Sequence, residues 1–248
     1  MQRRVLVPLP DRDFDVTEVA VPWRVLTDAG CEVVFATESA ARPQADQLLL
    51  DGVVFGRLGA ADEPKRFYAE LQEAPRFRQP IAYADIVAGA FDGLVLPGGH
   101  AKGMRQYLDS QALRAKVGEF WGLGRPVGAI CHGVLVLART TDPDTGRSVL
   151  ADARTTCLPK YLEHSAYLAT AWRRGRYYRT YPEYVEDEVR AALEHPEQQF
   201  ERGPRVLAAR GTAEDDTHAF VVQDGRYVSA RWPGDAYAFA HRFGSLLV

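Results

Sequence analysis

The pair of residues most able to do chemistry in this chain is Cys131 and His132, side by side in the stretch from Pro126 to Ala138. The surrounding pattern places the thiol at a turn. Val127 to Ile130 is too short and too apolar for a helix and reads as a buried parallel strand. From Val134 the residues Val134, Leu135, Leu137 and Ala138 continue as an apolar helix, which Arg139 to Pro143 brings to a stop. A side chain at such a junction stands over a helix N-terminus, where free N–H groups and the dipole favour a thiolate. Gly133 keeps the turn open, as glycines do around a serine nucleophile elbow. A buried structural cysteine accounts for the same residues equally well at this point.

Three further places could furnish partners. Glu18 falls at the start of a helix expected over Thr17 to Ala29, with Asp15 or Thr17 as N-cap, Pro22 in or near the first turn and Gly30 as stop. Its plain role would be dipole complementation. Leu94 to Leu96 reads as a strand that ends in Pro97-Gly98-Gly99-His100, where adjacent glycines can turn backbone N–H groups toward a substrate oxygen. A simple tight turn explains a lone Gly-Gly as well. Glu163 lies in the first turn of a helix opened by Pro159.

The elements that must hold these residues alternate as strand and helix, which predicts an α/β chain built on a mainly parallel sheet. Val5 to Pro8 and Glu32 to Ala36 are the first strands; Val206 to Ala208, Ala219 to Val222 and Tyr227 to Ala230 are read as closing strands. Asp224-Gly225 is a hairpin turn, and a helix is expected over Pro233 to Leu247. With 248 residues, 46% hydrophobic and 25% charged, the composition is that of a globular protein. A net charge of −3 spread along the chain argues against a nucleic-acid or membrane partner, and no apolar run suits a bilayer. A cytoplasmic location is the expectation. Cys31, Cys131 and Cys157 are too few and too scattered for a disulfide framework or a metal knuckle, so no metal is expected.

Taken together, Leu96 to His100, Ala129 to Gly133 and Asp224 to Ala230 resemble the ThiJ/PfpI family of class I glutamine amidotransferase-like proteins, nearest in motif to its chaperone/glyoxalase III branch. The resemblance spans nearly the whole chain. It implies a flavodoxin-like three-layer sandwich, one domain over residues 1–248 with a helical insertion near 164–200. It also implies a cofactor-independent enzyme in which Cys131 attacks a small electrophilic carbonyl compound, as a lyase, deglycase or hydrolase. By the same resemblance a protonated Glu18 donates to the thiolate, Gly99 and His132 N–H groups form an oxyanion hole with Gly98 and His100 nearby, and His132 is the general acid/base. Glu163 is the implied orienting acid. A small-molecule substrate and a homodimer or larger homo-oligomer follow as expected partners. The sequence departs from the branch at Lys160, where an acid is common, and in the Arg- and Tyr-rich segment from Trp172 to Tyr184. Oxidation of Cys131 in a redox-sensing or chaperone-type protein is the rival reading. Glutamine amidotransfer is disfavoured, since neither His218 nor His241 has a Glu two residues on.

Overall fold

The computed structural model describes residues 2–206 and 209–247. Its strands are β1 (Arg4–Pro8), β2 (Arg12–Phe14), β3 (Glu32–Thr37), β4 (Gln44–Ala45), β5 (Ile81–Ala82), β6 (Gly93–Leu96), β7 (Val127–Ile130), β8 (Val221–Asp224) and β9 (Tyr227–Ala230). The helices are α1 (Val16–Asp28), α2 (Gln47–Asp51), α3 (Asp62–Leu71), α4 (Pro75–Arg78), α5 (Met104–Leu108), α6 (Gln111–Gly122), α7 (Val134–Ala138), α8 (Lys160–Arg174), α9 (Val185–Ala191), α10 (Pro196–Gln199) and α11 (Ala236–Gly244).

Seven strands form one sheet in the order β5-β3-β1-β6-β7-β9-β8. Every pair in it is parallel except β8 with β9, which are joined through the turn at Gly225. From β1 the chain moves one way along the sheet to β3, and from β6 the other way to β7. Right-handed crossovers therefore put α1 and α6 on opposite faces. Helices α3 and α11 pack with α1, while α7 packs with α6 and α9. The sequence explains the burial this requires. Val5, Leu6, Val7, Leu94, Val95, Leu96, Val127, Ala129 and Ile130 are all nearly solvent-free, as a sheet covered on both faces demands. This is the expected mainly parallel, helix-flanked α/β fold.

The direction reversal lies between β1 and β6, and doubly wound sheets open a crevice at the carboxyl ends of strands flanking such a point. Cys131 follows β7 directly and Gly98 and Gly99 follow β6 after Pro97, while Glu18 lies in the first turn of α1, the helix that leads from β1 to β3. Two local expectations change. Pro22 sits inside α1 rather than near its start, where its ring removes the N–H that would reach the Glu18 carbonyl. Val206 lies outside any strand, and Leu207 and Ala208 are outside the described residues. Residues 154–158 make only an isolated bridge, Thr155 to Phe200.

Two glycines allow the strands to end so close together. A Cβ on Gly133 would stand 2.0 Å from the Leu96 carbonyl oxygen, and one on Gly98 2.7 Å from the His132 nitrogen. Gly133→Ala is therefore expected to destabilise the protein by about 2–3 kcal/mol, the scale of overpacking in a tight core. Gly122→Ala, at a helical position with nothing within 4 Å of the new methyl, should leave stability unchanged or raise it by up to about 1 kcal/mol. Thermal unfolding of the two variants side by side checks this; equal midpoints would contradict the close approach.

Candidate functional site

The first functional carboxyl is set by a helix cap. Asp15 accepts from the N–H groups of Thr17 and Glu18, at 2.8 and 3.0 Å, while its own N–H bonds the Gly98 carbonyl at 3.0 Å. The start of α1 is thereby tied to the β6 turn. Glu18, fully buried, accepts from Gly98 N–H through Oε2 at 2.8 Å, while its buried Oε1 has no hydrogen-bond partner among the described residues. Burial first, then the neighbouring Asp15, hold its carboxyl pKa well above the ordinary range and favour the protonated form.

Cys131 follows β7 with φ of 59°, a left-handed conformation that costs a non-glycine residue roughly 1–2 kcal/mol. Cys131 to Gly133 form a single 3-10 turn leading into α7, which is only five residues long. So short a helix adds little dipole. Burial, Glu18 and Asp15 push the thiol well above its usual pKa, outweighing the opposing bond from the His132 N–H. The expected helix-stabilised thiolate thus gives way to a neutral thiol at rest.

His132 is fully buried, with Nδ1 3.5 Å from Cys131 Sγ. Burial first, with the cationic Arg139 and Arg179 nearby, lowers the pKa of its imidazole and favours the neutral ring. Its other nitrogen, Nε2, lies 3.1 Å from Thr180 Oγ1. The contact expected from Glu163 is not made, because both Glu163 oxygens are engaged elsewhere. Oε1 pairs with Arg179 Nη1 at 3.2 Å and Oε2 accepts from Val185 N–H at 3.1 Å. Glu163 fastens the segment on both sides of Thr180 and reaches His132 only through it.

Glu18, Gly99, His100, Cys131 and Glu163 line one cavity of about 490 Å³, and Gly98 and His132 sit immediately behind its wall. His100 stacks on Tyr178 at 4.2 Å and meets Tyr177 edge-on at 4.5 Å. Desolvation lowers its pKa to about 3, so it too is neutral. Leu158, Leu162, Ala166, Ala169 and Trp232 give the cavity a large carbon face, beside the polar Asp15, Ser165 and Arg210, the last over the Trp232 ring at 5.6 Å. A separate hollow of about 350 Å³ near Asp142, Arg147 and Asp224 contains none of these groups. Among the described residues no group of three His, Cys, Asp or Glu side chains could hold a metal ion, and no helix is long and apolar enough to cross a membrane.

The family profile described as ThiJ/PfpI family-like matches residues 9–204. The chain belongs to the ThiJ/PfpI family. Among relatives, a deglycase of Pyrococcus abyssi is 25% identical over 244 residues, 98% of this chain and 99% of the other. A glutathione-independent glyoxalase of Schizosaccharomyces pombe is 26% identical over 148 residues, 58% of this chain and 59% of the other. The crystal structure of glyoxalase III from Candida albicans superposes with a TM-score of 0.70 at 19% identity, over 98% of this chain and 97% of that one, a likeness of fold. The family's strand-end crevice is thus present, with a hydroxyl where an acid was expected.

Thr180, Arg179 and Tyr178 were not singled out from the sequence. They lie in an irregular stretch between α8 and α9 with no periodicity to mark an inward residue. The one available signal was the Arg and Tyr crowding from Trp172 to Tyr184, which suggests a pocket wall but names no member of it.

The electrostatics of Glu163 give a direct test. Burial raises its pKa from 4.5 to about 7, against the opposing Val185 and Arg179 contacts. A folded-state value above the unfolded one means the folded protein binds the extra proton. The stability this contributes is present below about pH 4.5 and is lost as pH rises through about 7. Between pH 5 and 8, Glu163→Gln should therefore lose less of its unfolding temperature than the unaltered protein does. An identical decline in both would show that Glu163 is ionised throughout.

Proposed function

We propose that this protein is a cysteine-dependent, cofactor-independent enzyme acting on small carbonyl compounds, with a 2-oxoaldehyde carrying an apolar substituent as its substrate. The carrying observation is the Cys131 thiol, held in a left-handed turn at the floor of a cavity, 3.5 Å from a neutral imidazole nitrogen. The names of the relatives, deglycase and glutathione-independent glyoxalase, support carbonyl chemistry of this type.

The steps balance without an external redox partner. His132 Nδ1 takes the thiol proton as sulfur adds to the aldehyde carbon, and the carbonyl π pair moves onto oxygen. The Gly99 and His132 N–H groups receive that oxyanion, and protonation gives a thiohemiacetal. Transfer of the C1–H proton to C2 through His132, with the C1 hydroxyl proton passing to the C2 oxygen by way of an enediol, converts this to the thioester of a 2-hydroxy acid. Water then cleaves the C–S bond, releasing the acid and restoring the thiol. Glu18, protonated, holds its proton toward sulfur and so favours charge there only as the S–H bond breaks. Oxidation sensing is less well supported, because it needs an accessible low-pKa thiolate whereas this thiol is enclosed and its pKa raised.

The substituent follows from the walls. A three-carbon dicarbonyl would leave most of a cavity of about 490 Å³ empty, and Leu158, Leu162, Ala166 and Ala169 form a carbon face against which an apolar substituent packs. Each methylene buried there is worth about 0.8 kcal/mol, close to fourfold in kcat/KM. Assaying 2-oxoaldehydes from methylglyoxal to alkyl and aryl homologues should show that rise, and Cys131→Ala should abolish turnover of all of them while remaining folded. Retained turnover in the Cys131 variant would sink the mechanism, whereas a preference for methylglyoxal would sink only the substituent.

A further inference from the structure

We infer that Thr180 is the positioning residue of the nucleophile, fixing His132 in the one tautomer that can accept the Cys131 proton. The inference rests on the cysteine chemistry proposed above but is carried by a separate hydrogen-bond chain. Thr180 Oγ1 lies 2.6 Å from the His100 carbonyl oxygen and 3.1 Å from His132 Nε2. A hydroxyl has one proton and two lone pairs. The carbonyl has no proton to give, so the hydroxyl proton goes to it, and the remaining contact can be a hydrogen bond only if Nε2–H donates to Oγ1. A neutral imidazole with Nε2 protonated presents a lone pair at Nδ1, the nitrogen facing Sγ at 3.5 Å.

The hydroxyl is held rigidly enough for this. Thr180 is 1% exposed. Arg105 Nε, from α5, bonds its carbonyl oxygen at 2.9 Å and stacks over the Tyr181 ring at 5.0 Å. On the other side Arg179 is paired with Glu163, and the Tyr181 hydroxyl donates to Asp109 at 2.7 Å. A neutral hydroxyl also differs from a carboxylate in what it stabilises. A carboxylate at this position would favour an imidazolium and so an ionised pair at rest, whereas Thr180 orients the ring without charging it. The charged and titratable groups facing the dyad are Glu18 and Asp15 on the sulfur side and His100, Arg139 and Arg179 on the imidazole side. The last two are permanent cations, which reinforces the neutral ring. Thr180 therefore sets proton transfer to occur with attack rather than before it.

Nitrogen-15 NMR of the His132 ring in the unaltered protein reads the tautomer directly. Nε2 should be protonated and Nδ1 bare at pH 7; the reverse, or a protonated ring, overturns the inference whatever happens in turnover. In kinetics, Thr180→Ser should stay within about threefold of the parent kcat. Thr180→Val should lose at least about tenfold, within the roughly 10²–10⁴-fold a positioned general base supplies, with KM little changed. Thr180→Asp should move the pH dependence of Cys131 alkylation by iodoacetamide to lower pH. If Val matches Ser in kcat and in alkylation profile, Thr180 does not position the ring. Alkylation needs no substrate, so it separates this result from failure of the carbonyl reading.

Discussion

The site depends on backbone touching backbone where β6 and β7 end. The Gly133 Cα hydrogen occupies a place in which a methyl would stand 2.0 Å from the Leu96 oxygen, and Gly98 is hemmed by the His132 nitrogen, Glu18 Oε2 and the Cys131 Cβ. Because neither glycine carries a side chain, the elbow that bears the thiol can lie against the turn that bonds Glu18. The left-handed strain at Cys131 is the corollary. Parallel strands end side by side, and only a sharp reversal of the chain keeps the thiol facing the gap between them rather than following the helix away.

That closeness also decides the electrostatics. Asp15, Glu18 and Cys131 are all buried within one small region, and burial raises the pKa of each. Asp15 adds to the shift of Glu18, and both carboxyls add to that of Cys131, so the region disfavours accumulating negative charge. On the opposite side of His132 the nearest charges are positive, from Arg139 and Arg179, which denies the imidazole a second proton. A neutral thiol against a neutral base is the state both sides favour. Charge separation between them then has to be supported by what arrives in the cavity, so the chemistry is coupled to substrate entry.

The fold and half of the site could be read from the residues because they leave local signals. Short apolar runs closed by Gly-Gly or by a Cys-His-Gly mark strand ends, and Asp15 three positions ahead of Glu18 marks a helix start. The orienting partner left no such signal. Glu163 has the right type and occupies the first turn of α8, but which way its carboxyl turns is decided by Arg179 and the Val185 N–H, residues from a segment with no repeat of its own. Thr180 is a single hydroxyl within that segment, and its contact with His132 spans 48 residues. Pairings of that kind are made by tertiary packing, and periodicity does not encode them. The helix after Gly133 ends at Ala138, where Arg139 to Pro143 signal its stop, but the sequence does not show how strongly burial and the neighbouring carboxyls oppose a thiolate at its start.

The segment between α8 and α9 is held by its own aromatic and cationic residues, which act as clamps. Arg139 lies over the Tyr181 ring at 4.3 Å, Arg179 over Tyr184 at 3.5 Å, and the Tyr177 hydroxyl bonds Asp46 at 2.6 Å on the far side of the cavity. Each clamp spends cation–π or hydrogen-bond energy on holding irregular backbone in one conformation, which regular structure would otherwise do. The outcome is a wall that brings Tyr178 against His100 and Thr180 against His132 at once. Pocket shape and base orientation are thus mechanically one feature. A change that reshapes the pocket for a different substrate also moves the hydroxyl that orients the base, so selectivity and reactivity are bound to vary together in this protein.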